Sequence, residues 1–321
     1  MKVSLVATVK DAAPHLRAFL SSVEAQTRMP DEVVIVDGGS TDGTAEILRD
    51  ADGITLIEEP GSNIARGRNV AIRAAAHDVV AVSDADCVLA PDWVERVVAP
   101  VERGADVSMG VYRALSGSFF EACAAAISIR DPEELDPSTY LPSARSVAFR
   151  REAFERGGGY PEWLDIGEDM YLNHRWRGLG LRMELAGDAV AYRRPRAGLG
   201  EYWLQFFRYA EGDARGGMHP RRHALRFAVY GALALVLAVP GRPPKLLAAS
   251  AGALYAARPV RRARRLLPPG RPRLAAVVAV PALMAVTDAA KMAGCLFGLA
   301  GRGGDREAEV GRTHRVTEAL A

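Results

Sequence analysis

The chain predicts an α/β protein, a sheet with helices on both faces, followed by C-terminal hydrophobic helices. Three observations carry this expectation. Short continuous apolar runs alternate with amphipathic segments through the N-terminal half, the connections between them are short, and beyond Arg196 the composition turns aromatic, apolar and arginine-rich. Strand–helix alternation with short connections makes parallel strands, and runs without polar alternation are strands buried on both faces. At 321 residues the chain holds one domain of ordinary size plus a hydrophobic appendage. The formal net charge is only +2, so the basic character of the C-terminal part is local.

In chain order, Lys2 to Val9 reads as a first strand and Pro14 to Gln26 as a helix with Leu16, Phe19, Leu20 and Val23 on one face. Val33 to Val36 is a second buried strand, and it runs into Asp37-Gly38-Gly39-Ser40-Thr41-Asp42-Gly43-Thr44, with a helix from about Ala45. The glycines allow a tight turn and close approach of a ligand to the backbone, while Ser40, Thr41 and Asp42 are candidate helix caps. Asp37 is a carboxylate at the end of a buried strand and needs a partner, which the base or ribose of a nucleotide would supply. Ile54 to Ile57 is a third strand, Ile64 to Ala76 a third helix, and Val79 to Ser83 a fourth strand ending in Asp84-Ala85-Asp86. Open α/β sheets bind ligands at this C-terminal edge. In strand geometry Asp84 and Asp86 point the same way, and two hard oxygen donors so placed suit a divalent cation that also holds a diphosphate. Asp-x-Asp alone is a weak signal.

Four segments raise its value: VDGGSTDGT, GRNVAI at Gly67 to Ile72, DAD at 84 to 86, and GEDMYL at Gly167 to Leu172, in that order. Together they resemble the inverting family-2 glycosyltransferases of the GT-A fold, over roughly residues 1 to 195. The resemblance implies a nucleotide-diphosphate sugar donor bound at the sheet edge. It also implies that Asp37 contacts the nucleobase, Arg68 the nucleotide, Asp84 the ribose or a metal-bound water, and Asp86 the metal, a divalent cation such as Mg or Mn. Asp169 matches the family's general base, with Glu168 beside it. Members of the family often carry a metal-completing His after the last strand, but Val190 to Arg196 has none. Arginine cannot ligate a cation but can bind a diphosphate, so Arg193 and Arg194 are candidates to take over part of that neutralisation.

The chemistry agrees with these roles. Displacing a nucleoside diphosphate from an anomeric carbon builds charge on two phosphates, which a divalent metal neutralises. The attacking hydroxyl loses a proton to one carboxylate base. A single displacement needs no nucleophilic set, and no convincing Ser-His-Asp or Cys-His arrangement is present. Glu168 and Asp169 also suit a helix N-terminus, since Met170 to Leu179 reads as helical.

The middle of the chain, Gly117 to Tyr160, is expected to build the acceptor side. Leu141 to Phe149 reads as a loop entering a strand, and Gly157 to Pro161 as a turn after a short helix. Tyr160 and Trp163 read as packing anchors in preference to sugar platforms, and Arg145 is a candidate to grip a phosphate of donor or acceptor.

The expected organisation is a catalytic domain over 1–197, an interfacial amphipathic helix over 198–222, membrane-associated helices over 223–300 and a polar tail over 301–321. Glu201 to Arg215 interleaves aromatic and basic residues, as a helix in a bilayer interface does. Of the apolar stretches Ala224 to Val239, Leu246 to Ala257 and Leu274 to Ala300, the first two are short for a span. The third is long enough, but Pro281 would kink it, and Asp288 and Lys291 interrupt it at a spacing that allows them to pair. Arg258 to Arg265, with Arg271 and Arg273 beyond, reads as a basic loop on the cytoplasmic side. It lacks base-stacking platforms, so nucleic acid is not an expected partner. Met1 to Val9 lacks the pattern of a signal peptide, and Cys87, Cys123 and Cys295 form a scattered, odd set that fits a reducing compartment.

The expectation is therefore a glycosyltransferase at the cell membrane with its catalytic domain cytoplasmic, acting on a lipid-linked or glycan acceptor. Two alternatives remain at this point: a non-catalytic membrane scaffold of the same fold, against which the intact acidic set argues, and a nucleotidyltransferase. The latter expects a Gly-rich basic loop after strand one, which Lys10-Asp11-Ala12-Ala13-Pro14 matches poorly.

Overall fold

In the computed structural model, residues 1–267, 270 and 272–301 are described in full, together with the backbone of 302–319. The chain divides into two units, Met1–Leu115 with Arg130–Arg194, and Ser116–Ile129 with Pro195–Ala321.

The first unit begins with the alternation read from the sequence: β1 (Val3–Val9), α1 (Ala13–Glu24), β2 (Glu32–Asp37), α2 (Thr44–Arg49), β3 (Ile54–Glu58), α3 (Ile64–Ala74) and β4 (Val79–Val82). These four strands pair in parallel in the order β3-β2-β1-β4. Alternate residues serve opposite faces. Leu5 joins Phe19, Trp93 and Val97 on one side of the sheet, and Val6 joins Ile72, Phe149 and Trp176 on the other.

Beyond β4 the sheet becomes mixed. The next elements are β5 (Cys87–Leu89), α4 (Trp93–Glu102) and β6 (Val107–Ala114). After α5 (Phe119–Ser128), which belongs to the second unit, come β7 (Val147–Arg150), α6 (Arg151–Arg156), α7 (Glu168–Gly178) and β8 (Met183–Arg193). They extend the sheet as β4-β7-β6-β8-β5, with β7 antiparallel to β4 and β6, and β5 antiparallel to β8. The register between β6 and β8 shifts at Gly110, where an added Cβ would collide with the Ser146 hydroxyl. That hydroxyl accepts from Trp93 Nε1 at 2.8 Å and donates to the Ala189 carbonyl at 2.9 Å, which locks the strand entry beside Arg145.

The second unit is helical: α5 with α8 (Leu199–Arg215), α9 (Pro220–Ala238), α10 (Pro243–Leu266) and α11 (Ala276–Ala319). Its core gathers Ala122, Cys123 and Ala126 of α5 with Tyr202, Phe206, Ala263, Val280 and Leu283. The sequence reading kept the α5 segment with the N-terminal domain, whereas its buried face packs on the C-terminal helices. On α11, Gly294 and Gly298 lie four apart, and a Cβ on either would run into the backbone of α8, at the carbonyls of Phe207 and Glu211. Small residues at this spacing let two helix backbones meet.

Two expectations for this unit are corrected. Arg258 to Arg265 is not a loop but the end of α10, and Arg262 reaches the carbonyls of Ala126 and Ile129. Asp288 does not pair with Lys291. It accepts from Arg226 Nε at 2.7 Å and from the Tyr230 hydroxyl at 3.1 Å, while Lys291 sits 4.9 Å from the Phe206 ring centroid. Pro281 lies inside α11, which continues through it. Among the described residues one helical stretch, Ala276–Gly301, is long and apolar enough to cross a membrane, with mean hydropathy 1.5 and 28% of its apolar window buried. Arg271 and the end of the expected tail lie outside the described residues, as do the side chains of the tail beyond 301. The three cysteines are free and buried.

Candidate active site

The acidic pair is not a strand continuation. β4 ends at Val82, and Asp84 to Asp86 form a turn closed by the Cys87 N–H donating to the Asp84 carbonyl at 3.0 Å, because the chain must reverse into β5. The carboxylates are therefore set by the turn and by their ion pairs. Asp84 Oδ1 meets Arg68 Nη2 at 2.5 Å, and Asp84 Oδ2 lies 3.5 Å from Arg145 Nε. Asp86 Oδ2 lies 3.0 Å from Arg193 Nε, and its Oδ1 3.9 Å from Arg145 Nε. Arg68 Nη1 pairs in turn with Glu168.

The result is a chain of alternating charge: Glu168, Arg68, Asp84, Arg145, Asp86, Arg193. Its members come from α7, α3, the β4–β5 turn, the loop before β7, and the end of β8. Buried charges are held only when paired, and here every interior member has a neighbour of opposite sign on both sides. Burial works against the Arg68 charge, yet Asp84 and Glu168 outweigh it and hold the guanidinium ionised. Burial likewise penalises the Asp86 carboxylate, but Arg145 and Arg193 bring its pKa down to about 2. Burial raises Glu168 above the usual carboxylate range, with Arg68 pulling the other way.

Asp169, the second residue of α7, is half-buried and stands outside this chain of ion pairs. Its Oδ2 accepts from the Ala144 N–H at 3.3 Å and its Oδ1 from the Met170 N–H at 2.8 Å. The loop that supplies Ala144 and Arg145 is held by Asn173, whose Nδ2 donates to the Pro142 carbonyl at 2.7 Å.

Asp37 is buried, and its partner is internal. Ser40 donates its hydroxyl to Oδ1 at 2.5 Å and its N–H to Oδ2 at 3.1 Å. Of Ser40, Thr41 and Asp42, Asp42 reaches the start of α2, its Oδ1 accepting from the Thr44 N–H at 3.1 Å. All three lace the β2–α2 turn to the β1–α1 turn: the Asp11 N–H donates to Ser40 Oγ at 2.8 Å, the Thr41 N–H to Asp11 Oδ1 at 2.9 Å, and the Ala13 N–H to Asp42 Oδ2 at 3.0 Å. Asp11, with φ 50, was passed over in the sequence, although a carboxylate directly after the first strand lies at the same sheet edge as Asp37. Arg194 is exposed next to the buried Arg193, so of this pair only Arg193 joins the cluster. Tyr160 is buried beneath the Arg68 guanidinium, 5.5 Å from ring centroid to Cζ, and Trp163 packs edge-on against Tyr171.

Among the described residues no group of three or more His, Cys, Asp or Glu is placed to hold a metal. The donor set present is the carboxylate pair, with Asp86 the more open at 37% side-chain exposure against 13% for Asp84. One or two carboxylates plus phosphate and water oxygens is the manner in which Mg²⁺ is held in phosphate-transfer sites, so the residues fit an ion shared with a diphosphate.

Residues 4–158 match the model of the family described as Glycosyl transferase family 2. Glycosyltransferase AglE of Haloferax volcanii is 26% identical over 256 residues, covering 76% of this chain and 83% of that protein. Undecaprenyl-phosphate 4-deoxy-4-formamido-L-arabinose transferase of Aeromonas hydrophila is 33% identical over 134 residues, covering 39% of this chain and 41% of that protein. The solved structure of mannosyltransferase PcManGT from Pyrobaculum calidifontis, in complex with GDP-Man and Mn2+, aligns with a TM-score of 0.57 at 23% identity, over 93% of this chain and 87% of that one. Residues 4–158 of this chain thus carry a family-2 glycosyltransferase domain, and the chain is a glycosyltransferase with the GT-A fold. Its acidic cluster lies at the C-terminal edge of the parallel strands of the first unit.

Proposed function

We propose that this enzyme moves a sugar from a nucleotide-diphosphate donor to a lipid-linked or glycan acceptor at the cytoplasmic face of the cell membrane, by a metal-assisted inverting displacement. The observation that carries this reading is the division of labour among the carboxylates. Asp84 and Asp86 are bound into the arginine chain, whereas Asp169 is half-exposed and outside it. In this reading Asp86, with Asp84, holds a divalent cation, which supplies neutralisation of the charge building on the leaving diphosphate. Arg193 and Arg145 add cationic donors for the same phosphates, or for an acceptor phosphate in the case of Arg145. Asp37 reads the nucleobase, keeping Ser40 as its internal support. Asp169 takes the proton of the acceptor hydroxyl as it attacks, and one attack opposite the leaving group inverts the anomeric centre.

The cation and the nucleotide sugar are supported by the GDP-Man and Mn2+ bound in the Pyrobaculum enzyme, and a lipid-linked acceptor by the Aeromonas relative's undecaprenyl phosphate. The membrane is supported by the second unit, where Leu235, Leu247, Leu254, Val278 and Phe297 are exposed. A soluble unit rarely shows so much apolar surface.

The test is transfer by detergent-purified protein from UDP-, GDP- and dTDP-sugars to undecaprenyl phosphate or a glycan primer, with Mn²⁺ or with chelator. The expected result is one productive donor class, loss of transfer in chelator, an inverted product anomer by NMR, and a drop of about 10²-fold or more in Asp169→Asn with donor binding retained. Transfer undiminished by chelator overturns the metal role, and full turnover by Asp169→Asn overturns the base.

A further inference from the structure

The resemblance ascribes to Arg68 a contact with the nucleotide. We infer that Arg68 is instead a positioning residue, which acts through Glu168 to orient Asp169 and ties the start of α7 to the Asp84 turn. This rests on Asp169 being the base of the transfer.

Arg68 is 2% exposed, and each of its terminal nitrogens already meets a carboxylate. Nη1 is taken by Glu168 and Nη2 by Asp84, while Nε is buried without a hydrogen-bond partner among the described residues. Arg68 Cζ lies over the Tyr160 ring, 5.5 Å from the centroid. That ring is fixed by the next residue of α3: Asn69 Nδ2 donates to the Tyr160 carbonyl at 2.9 Å, and the Tyr160 N–H donates back to Asn69 Oδ1 at 2.9 Å. Swinging Arg68 out to a nucleotide would strand the buried Glu168 carboxylate without its cation, the costly half of breaking a buried pair.

The start of α7 needs such a tether. Its N-cap is Gly167, at φ 84, which offers no side-chain cap. The Arg68–Glu168 pair anchors the first residue of this helix to α3. Consecutive residues in a helix project about 100° apart, so pinning Glu168 sets the direction in which Asp169 leaves the helix. Against this, the Ala144 contact to Asp169 is long at 3.3 Å and holds only one oxygen. A lysine at position 68 keeps the charge but loses the planar fork that bridges two carboxylates on separate elements.

The experiment uses full-length Arg68→Lys, Glu168→Gln, Asp169→Asn, and the first two each combined with Asp169→Asn, all checked for folding by circular dichroism. Affinity for UDP and GDP with Mn²⁺ is read by calorimetry, and kcat with the productive donor. The expected pattern is a kcat loss on the order of 10- to 100-fold in Arg68→Lys and in Glu168→Gln, nucleotide affinity within about twofold, and almost no further loss when either is added to Asp169→Asn. With the base gone, nothing is left to position. Glu168→Gln keeps size and shape, so it carries the test if Arg68→Lys fails to fold. A tenfold loss of nucleotide affinity in Arg68→Lys overturns the inference in favour of a nucleotide contact. Full additivity on the Asp169→Asn background overturns it in favour of a general structural role. Undiminished turnover in Asp169→Asn alone instead sinks the base reading, which the affinity arm keeps distinct.

Discussion

Asp86 is where the candidate site is most exposed to a direct test. Its carboxylate is the more open of the pair, yet Arg193 and Arg145 hold its pKa at about 2. Asp86→Asn removes the carboxylate proposed to hold the cation while preserving the shape of the side chain. Transfer is expected to fall to background, with the circular dichroism spectrum unchanged; an active Asp86→Asn protein removes the metal site from the mechanism. The same ion pairs have a pH signature. A carboxylate whose folded pKa lies below its ordinary 3.8 stabilises the fold above that value and loses the contribution as pH falls toward 2. The melting difference between wild type and Asp86→Asn is therefore expected to be full at pH 6 and to shrink steadily between about pH 4 and pH 2. A difference that stays constant across that range would mean that the pairs with Arg193 and Arg145 do not hold in solution. The carboxylates themselves were legible in the sequence because they sit at strand ends. Arg68, Arg145 and Arg193 were readable as nucleotide or phosphate candidates but not as the partners of these carboxylates, because they are far apart in the chain and a long flexible side chain carries no local mark of the residue it will meet.

At the scale of elements, the contact between α8 and α11 decides how the second unit holds together. Gly294 and Gly298 bring the backbone of α11 against that of α8, while Gly252 on α10 faces open space. Gly294→Ala is expected to destabilise the unit by about 1–3 kcal/mol, since the added methyl meets the Phe207 carbonyl and a helix must shift. Gly252→Ala has no such obstacle and gains helix propensity worth up to about 1 kcal/mol. Thermal melts in detergent compare the two; equal behaviour would show that the close α8–α11 approach does not persist. The sequence marked α8 as aromatic and amphipathic but left it alone in an interface. Tyr202 and Phe206 of this helix enter the core of the second unit, with Tyr202 packed on Phe120 and its hydroxyl 2.7 Å from that of Thr287, while Trp203 is exposed.

For the whole molecule, the second unit is expected to carry membrane attachment. Full-length protein should stay in the membrane fraction through high-salt washing, because apolar burial is not screened as surface charge is. A chain ending at Arg196 should leave that fraction. It should also aggregate, since α5 loses the helices that cover Ala122, Cys123 and Ala126. Release of the full-length protein by salt alone would make these helices a peripheral or core assembly and remove the main support for a lipid-linked acceptor. The apolar stretches were plain in the sequence, but among the described residues one helical stretch, Ala276–Gly301, has the length and hydropathy of a span.

Hydrophobic period and punctuation are local properties, so the first four strands, their helices and the parallel pairing implied by short connections could be read from residues a few positions apart. The acidic and glycine-rich turns were readable for the same reason, since they are contiguous motifs at strand ends. Three features belong to tertiary structure alone. Antiparallel insertion of β7 and the reversal into β5 depend on pairing between strands separated by dozens of residues, which no local pattern specifies. The seat of α5 among the C-terminal helices depends on which apolar faces find each other, and hydrophobic contact is non-directional. The alternating ionic chain depends on distances of a few ångströms between groups that sequence spacing leaves unconstrained. Thus Asp169 was recognisable from its motif, but its standing outside the ion pairs that occupy Glu168, Asp84 and Asp86 came only with the folded arrangement.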